Sequence, residues 1–362
     1  MRWSWKIGRV AGIDLRVHAT FLLLLAWAAL AYYRVEGTAT AATRGVVFTL
    51  ALFASVVLHE LGHALTARRF GVATKDITLL PIGGVARLAY MPRKPKQELA
   101  IALMGPAVTL AVIIILFAAI QIFSLPNAAL SGPLGARGGF VAELMWVNIS
   151  LLAFNLLPAF PMDGGRVLRA ALAIRGNYVK ATETAARAGK AFALAFGILG
   201  LFYNPFLVLI ALFVWLGAAG EEADARLHST LNGVPVERVM IRDVQTLTPR
   251  DNLDVALRYV LDGFQQDFPV VEEGKVVGIL TRSRLLDAVS RFGREAFVGD
   301  TMEQAFRTAV AQEPVEGALS RLHQAHCSTL PVMKGDQLEG VLTLENVGEY
   351  VMIDAALREA TT

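Results

Sequence analysis

Residues 46–66 read VVFTLALFASVVLHELGHALT, an apolar run that carries His59, Glu60 and His63 towards its end. About 20 apolar residues are what a helix needs to cross the hydrocarbon core of a bilayer. Positions i and i+4 share one helix face, so His59 and His63 aim two imidazole nitrogens at one point, with Glu60 beside them. The pattern H-E-x-x-H suits a zinc ion, with the glutamate left free as a general base towards water. Ionisable side chains inside a spanning segment are costly, and by default they mark a functional site rather than plain polar packing in a helix bundle.

Further apolar runs lie at 17–33, 99–124, 139–161, 189–203 and 206–221, and none follows residue 222. The expectation is six spans, the last two separated by the turn signal Asn204-Pro205. Merging them into one kinked element is the alternative, and it would move the C-terminal part across the membrane. Composition agrees with a membrane protein. Of 362 residues, 55% are hydrophobic and 18% charged, against about 45–50% and 25% in soluble domains, and the mean hydropathy is +0.50. Composition argues against disorder, fibrous repeats and a wholly soluble globule. The single cysteine, Cys327, rules out an intramolecular disulfide framework and a multi-cysteine cluster, so a metal here needs nitrogen and oxygen ligands.

The net charge of +3 is modest, and the basic residues cluster between apolar runs. They read as membrane orientation, not as a nucleic-acid surface. Arg2, Lys6, Arg9 and Arg16 precede the first run. Arg68, Arg69, Lys75, Arg87, Arg93, Lys94 and Lys96 follow the second, and Arg166, Arg169, Arg175, Lys180 and Arg187 follow the fourth. The intervening loops hold only Arg34, Arg44 and Arg137. The positive-inside rule then places both termini in the cytoplasm of a multi-pass cell-membrane protein. No small-residue cleavage site follows the first run, so it reads as a retained span.

A catalytic zinc takes a third protein ligand and keeps a position open for water. His18 lies at the start of the first span, and His228, His323 and His326 lie in the polar C-terminal third. Glu143 sits near the outer end of the fourth span. Asp163 sits at its cytoplasmic end, at the depth of His63, in Asn155-Leu156-Leu157-Pro158-Ala159-Phe160-Pro161-Met162-Asp163-Gly164-Gly165. The two prolines break the helix and Gly164-Gly165 allows a sharp turn, so this carboxylate can reach the histidines. Irregular backbone at that depth needs a polar cavity around it. Asn155 can donate to an oxyanion or a substrate carbonyl, or equally to a neighbouring helix.

These two motifs resemble those of the site-2 protease family of intramembrane zinc metalloproteases, over roughly residues 1–220. His59-Glu60-Leu61-Gly62-His63 is similar to its first motif, and Asn155 to Gly165 to its second, N-x-x-P-x-x-P-x-D-G-G. The resemblance implies His59, His63 and Asp163 as zinc ligands, Glu60 as general base and Asn155 as polar assistant. Leu80-Pro81-Ile82-Gly83-Gly84-Val85-Ala86-Arg87 resembles the family's membrane-associated hairpin, which receives an extended substrate. Gly105-Pro106-Ala107-Val108-Thr109 resembles a G-P-x-x-N element, with Thr109 in place of the asparagine and no catalytic role assigned to it. The activity implied is cleavage of membrane-spanning protein substrates, as in regulated intramembrane proteolysis. A transporter or metal permease is the alternative. It has no need of a base between two zinc ligands, and the halves show no inverted repeat.

After residue 222 the chain repeats itself. Val239-Met240 matches Thr301-Met302, Phe268-Pro269-Val270-Val271 matches Leu330-Pro331-Val332-Met333, and Gly278-Ile279-Leu280-Thr281 matches Gly340-Val341-Leu342-Thr343, all at an offset of 62. Each unit reads strand, helix, strand, strand, helix and resembles a cystathionine-beta-synthase-type (CBS) domain. The fold class expected is a polytopic α-helical membrane domain with six transmembrane helices, residues 1–222, followed by an α/β tandem CBS-domain pair, 234–293 and 297–355. CBS pairs often sense adenine nucleotides through a threonine and a downstream acidic residue. Thr281 and Thr343 hold the first position, but Arg284 and Asn346 the second, so nucleotide sensing and a structural or homodimerising role both stand. His323, His326 and Cys327 form a weak metal-ligand cluster better explained by packing and surface solvation.

Overall fold

Local end signals decide where the helices of the first half begin and stop. The computed structural model describes residues 3–88, 94–123, 139–263, 265–324 and 328–359, with only the backbone of 323, 324, 358 and 359. The chain forms two compact units, Met1–Ala225 and Arg226–Thr362. In the first, α1 (Ala19–Glu36) begins at His18, whose ring accepts the Thr20 amide, and ends at Gly37 in the left-handed region at φ 70°. The long α2 (Ala39–Arg69) begins behind Thr38, whose hydroxyl caps the Ala41 amide. Proline opens both α3 (Pro95–Ile122) and α7 (Pro205–Leu231), where its missing N–H costs nothing. Between them lie α4 (Phe140–Asn155), α5 (Asp163–Ala173) and α6 (Tyr178–Phe202).

Five of these helices, α1, α2, α3, α6 and α7, are long and apolar enough to cross a membrane. The run expected over 139–161 is helical only to Asn155, giving 16 apolar residues, because Pro158 and Pro161 cannot continue it. Helix α5 begins at Asp163, where the sequence showed a helix break and a sharp turn but no sign of a further helix.

A four-stranded sheet completes the unit, in the order β1 (Ser4–Val10), β2 (Ile13–His18), β3 (Thr74–Leu80), β4 (Gly83–Leu88). Strands β2 and β3 run parallel, with Leu15 opposite Ile77 and Val17 opposite Leu79. Ile13 and Ile77 pack on Leu61 and Ala64 of α2, while Val17 and Leu79 pack on Phe21 and Phe53. The sheet is thereby fixed against the turns of α2 that carry His59, Glu60 and His63. Two glycines bring α2 and α3 together: a Cβ at Gly62 would stand 2.6 Å from the Met104 carbonyl oxygen, and one at Gly105 2.8 Å from His59 Nε2.

The second unit holds a hairpin, β5 (Phe268–Glu272) and β6 (Lys275–Leu280), and a three-stranded sheet of β7 (Ala309–Val310), β8 (Thr329–Lys334) and β9 (Gln337–Thr343). Around them lie α8 (Leu253–Asp262), α9 (Arg282–Phe292), α10 (Val298–Thr301), α11 (Val315–Gln324) and α12 (Leu344–Glu359). The repeats exchange their leading segments. Leu231, Val236, Val239 and Met240 join the core of the second repeat, and Ile241 bridges Val341. Met302 packs in the first repeat's core, and Glu303 bridges Ile279. The repeated methionine and glycine thus meet crosswise, Met240 beside Gly340 and Met302 beside Gly278.

Candidate metal centre

Helix α2 presents His59 and His63 on one face, and the N-terminus of α5 presents Asp163 to both. Asp163 Oδ2 lies 3.0 Å from His59 Nε2 and 3.2 Å from His63 Nε2, and the two Nε2 atoms are 3.1 Å apart. Both histidines are buried, at 8% and 6% exposure. The rings are fixed from behind: His63 Nδ1 lies 2.7 Å from the carbonyl oxygen of Ile101, and His59 Nδ1 2.9 Å from Thr109 Oγ1. A carbonyl only accepts, so His63 carries its proton on Nδ1. Thr109 donates its own proton to the Gly105 carbonyl at 3.3 Å, so it too accepts from the ring. Each Nε2 is then a lone pair, and three electron-pair donors converge with no hydrogen between them.

That donor set fits a divalent cation. Three bare lone pairs at about 3 Å repel one another unless a positive charge stands among them, and imidazole nitrogens oriented through Nδ1 with one carboxylate are a zinc-type set. Gly105 keeps the space free, since a side chain there would run into both imidazoles.

Glu60 lies on the same turn, half-buried, and its Oε2 accepts the Ala86 amide of β4 at 3.3 Å. Gly84 permits this approach, for a Cβ on it would fall 2.8 Å from Glu60 Cγ. β4 is the outer strand of its sheet, so the carboxylate stands beside a strand whose other edge pairs with no strand among the described residues. The segment between α4 and α5 is held tightly: Ala159 and Phe160 are fully buried, the Phe160-Pro161 bond is cis, and a Cβ at Gly165 would meet Phe160 N at 2.5 Å.

The remaining candidates fall elsewhere. Glu143 pairs with Arg44 at 2.7 Å, His18 caps α1, and His228 faces Glu316 at 3.7 Å in the second unit. His326 and Cys327 lie outside the described residues, as does the side chain of His323. Asn155 ends α4 half-buried, and its side chain makes no hydrogen bond among the described residues. Thr281 Oγ1 accepts the Arg284 amide at 3.3 Å as the N-cap of α9, and Arg284 faces Glu303 at 3.4 Å. Thr343 Oγ1 likewise accepts the Asn346 amide at 3.1 Å, while Asn346 Nδ2 donates to the Val239 carbonyl at 3.0 Å. A cavity of about 340 Å³ opens beside Thr281, lined also by Gln266, Asp267, Arg282, Ser283 and Ser328. The buried Asp267 accepts from the Arg282 amide and from both the amide and hydroxyl of Ser328, tying the two repeats together.

Sequence reasoning assigned no role to Thr109, yet a polar side chain four residues beyond Gly105 in an apolar helix is the signal that finds it. The Ile101 carbonyl left no such signal.

Residues 47–196 match the model of peptidase family M50, and residues 236–291 that of the CBS domain. A zinc metalloprotease of Methanocaldococcus jannaschii is 32% identical over 349 residues, 96% of either chain. Rip3 of Mycobacterium tuberculosis is 32% identical over 378 residues, covering 97% of this chain and 93% of that one. The solved site-2 protease of M. jannaschii, 36% identical, covers 61% of this chain and 95% of its own, with a TM-score of 0.45.

Proposed function

The chain belongs to peptidase family M50, the site-2 protease family of zinc metalloproteases, with C-terminal CBS domains, and on that premise we propose that it cleaves membrane-spanning proteins within the bilayer. The convergence of His59 Nε2, His63 Nε2 and Asp163 Oδ2, with both Nδ1 atoms already engaged, is the observation that carries this reading. These three residues would hold zinc, which when bound supplies the Lewis acidity that polarises a peptide carbonyl and acidifies water.

The protein's own groups do the rest. Glu60, one residue from His59, takes the proton of the attacking water and returns it to the leaving amine. Its contact with Ala86 sets it beside β4, where an extended substrate would add as a further strand through main-chain hydrogen bonds. A substrate helix must unwind for this, because a hydrogen-bonded helix hides the scissile carbonyl. Asn155 would donate to the carbonyl oxygen as its charge grows.

The six-span arrangement over residues 1–222, with α4 as the short sixth span and both termini in the cytoplasm, is supported by the basic loops. The CBS pair, 234–293 and 297–355, would regulate the protease or join two copies of it. The cavity at Thr281 would take an adenine nucleotide, with Thr281, Arg284, Thr343 and Asn346 around the pair's two threonine positions. Titration of the full chain in detergent with ATP and AMP separates these roles, absence of heat favouring the structural one.

The test of the protease pairs wild type with Glu60→Gln, recording zinc content and cleavage of a single-span substrate. About one zinc in each and cleavage by wild type alone supports the mechanism. No zinc in wild type, or equal cleavage by both, overturns it.

A further inference from the structure

Arg169 lies six residues beyond Asp163 on α5, buried at 4% exposure. Its guanidinium forks. Nε and Nη2 donate to Glu98 Oε1 at 2.7 and 2.5 Å, and Nη1 donates to Glu221 Oε2 at 2.9 Å. Glu98, in the first turn of α3, is wholly buried, and Glu221 belongs to α7. The faces of the guanidinium meet aromatic rings, with Cζ 4.8 Å from the Phe160 centroid and 5.1 Å from that of Tyr178 at the start of α6. Holding a charge away from water is costly, and a buried ion pair is often no more stabilising than apolar packing of the same volume. What the fork adds is direction: planar donors fix several partners at set angles, which a lysine cannot do.

The partners are the informative part. Phe160 stands three residues before Asp163, in the buried segment that delivers that carboxylate. Glu98 stands three residues before Ile101, nearly one turn earlier on α3, and the Ile101 carbonyl holds His63 Nδ1 at 2.7 Å. One guanidinium therefore grips the support of Asp163 on one side and the support of His63 on the other. Lys190 and Glu222, paired at 2.7 Å, likewise tie α6 to α7.

We propose that Arg169 is a positioning residue for the metal centre, holding the α5 and α3 supports so that Asp163 and His63 meet at ligand distance. The proposal rests on the zinc reading above. It also gives Glu98 and Glu221 their function, as the anchors that hold the guanidinium in place.

The test uses the full chain in detergent as wild type, Arg169→Lys, Phe160→Leu and the charge-neutral triple Arg169→Met, Glu98→Gln, Glu221→Gln. Fold is followed by thermal melting and size exclusion, metal affinity by chelator competition, ligand geometry by the absorption bands of bound cobalt(II), and turnover as kcat and KM. Arg169→Lys is expected to loosen the metal about tenfold, alter the cobalt bands and lower kcat, with KM within about twofold of wild type. Phe160→Leu should move the same quantities in the same direction by less. Folded variants that keep wild-type affinity and cobalt bands overturn the proposal, whatever their melting temperature. Should Arg169→Lys fail to fold, the triple decides by the same measurements, and failure of both to fold makes Arg169 a residue of fold stability and overturns it too. A wild type that binds neither zinc nor cobalt removes the zinc reading itself, an outcome visible before any variant is compared.

Discussion

Thr109 Oγ1 stands 2.9 Å from His59 Nδ1 and donates to the Gly105 carbonyl at 3.3 Å, so the hydroxyl oxygen accepts a hydrogen bond from the imidazole Nδ1–H and leaves Nε2 free to bind metal. Thr109→Val keeps the shape and removes the acceptor. Loss of such an outer hydrogen bond typically costs 10–100-fold in metal affinity. Zinc should be held about tenfold more weakly in Thr109→Val and close to normally in Thr109→Ser, measured by chelator competition.

Gly105→Ala should act more severely. Its Cβ would fall 2.8 Å from His59 Nε2 and nearer still to His63 Nε2, so either both imidazoles turn away from their meeting point or α3 recedes from α2. Zinc content should drop to about a tenth of wild type or less, with cleavage lost in proportion. Metal analysis of purified protein checks this, and normal occupancy would refute the packing argument.

Ala86→Pro and Val85→Pro separate two functions of β4. Proline at 86 removes the amide that Glu60 accepts, whereas proline at 85 leaves that amide and alters only the strand. Both should retain zinc. If substrate adds along this edge, both should lower turnover about tenfold or more, and Ala86→Pro should also displace the acid limb of the pH–rate profile. Unchanged turnover in both would count against strand addition.

The sheet carries a pH-dependent ion cluster away from the spans. Burial by itself would raise the Asp76 carboxyl, but the Arg87 fork overrides it, aided by Thr78 and by Arg16 at 3.8 Å, and the net pKa falls below the ordinary value. A group whose folded pKa lies below its unfolded value of about 3.9 stabilises the fold above that pH and loses the contribution as pH falls through the folded value. Asp76→Asn should therefore cost about 1–3 kcal/mol at pH 7, and the cost should shrink steadily as pH falls below the ordinary carboxylate range. Thermal melts across that range test it, and a constant difference would contradict the assignment.

How much of this was readable beforehand depends on the kind of physics. Periodicity puts His59 and His63 on one face, and depth favours Asp163 over Glu143; the fold brings these three together. Arg169 was counted among loop charges that orient the chain, since a charge count does not report burial, and its partners are 71 and 52 residues away. Thr109 was passed over because it departs from a familiar pattern, although a shorter side chain can still meet His59. Helix α5 hid behind its prolines and glycines, which read as punctuation. The offset of 62 exposed the repeat, but self-similarity says nothing about which core each copy completes, and Met240 and Met302 cross over.

That crossing bears on how the chain can be dissected. Leu227 and Leu231, from the last turns of α7, belong to the core of the second repeat with Val236, Val239 and Met240. A fragment begun at residue 234, where the repeat opens on paper, would leave a hole where Leu231 is wholly buried. The C-terminal unit thus begins within the last turns of α7, and its natural seam lies upstream of Leu227.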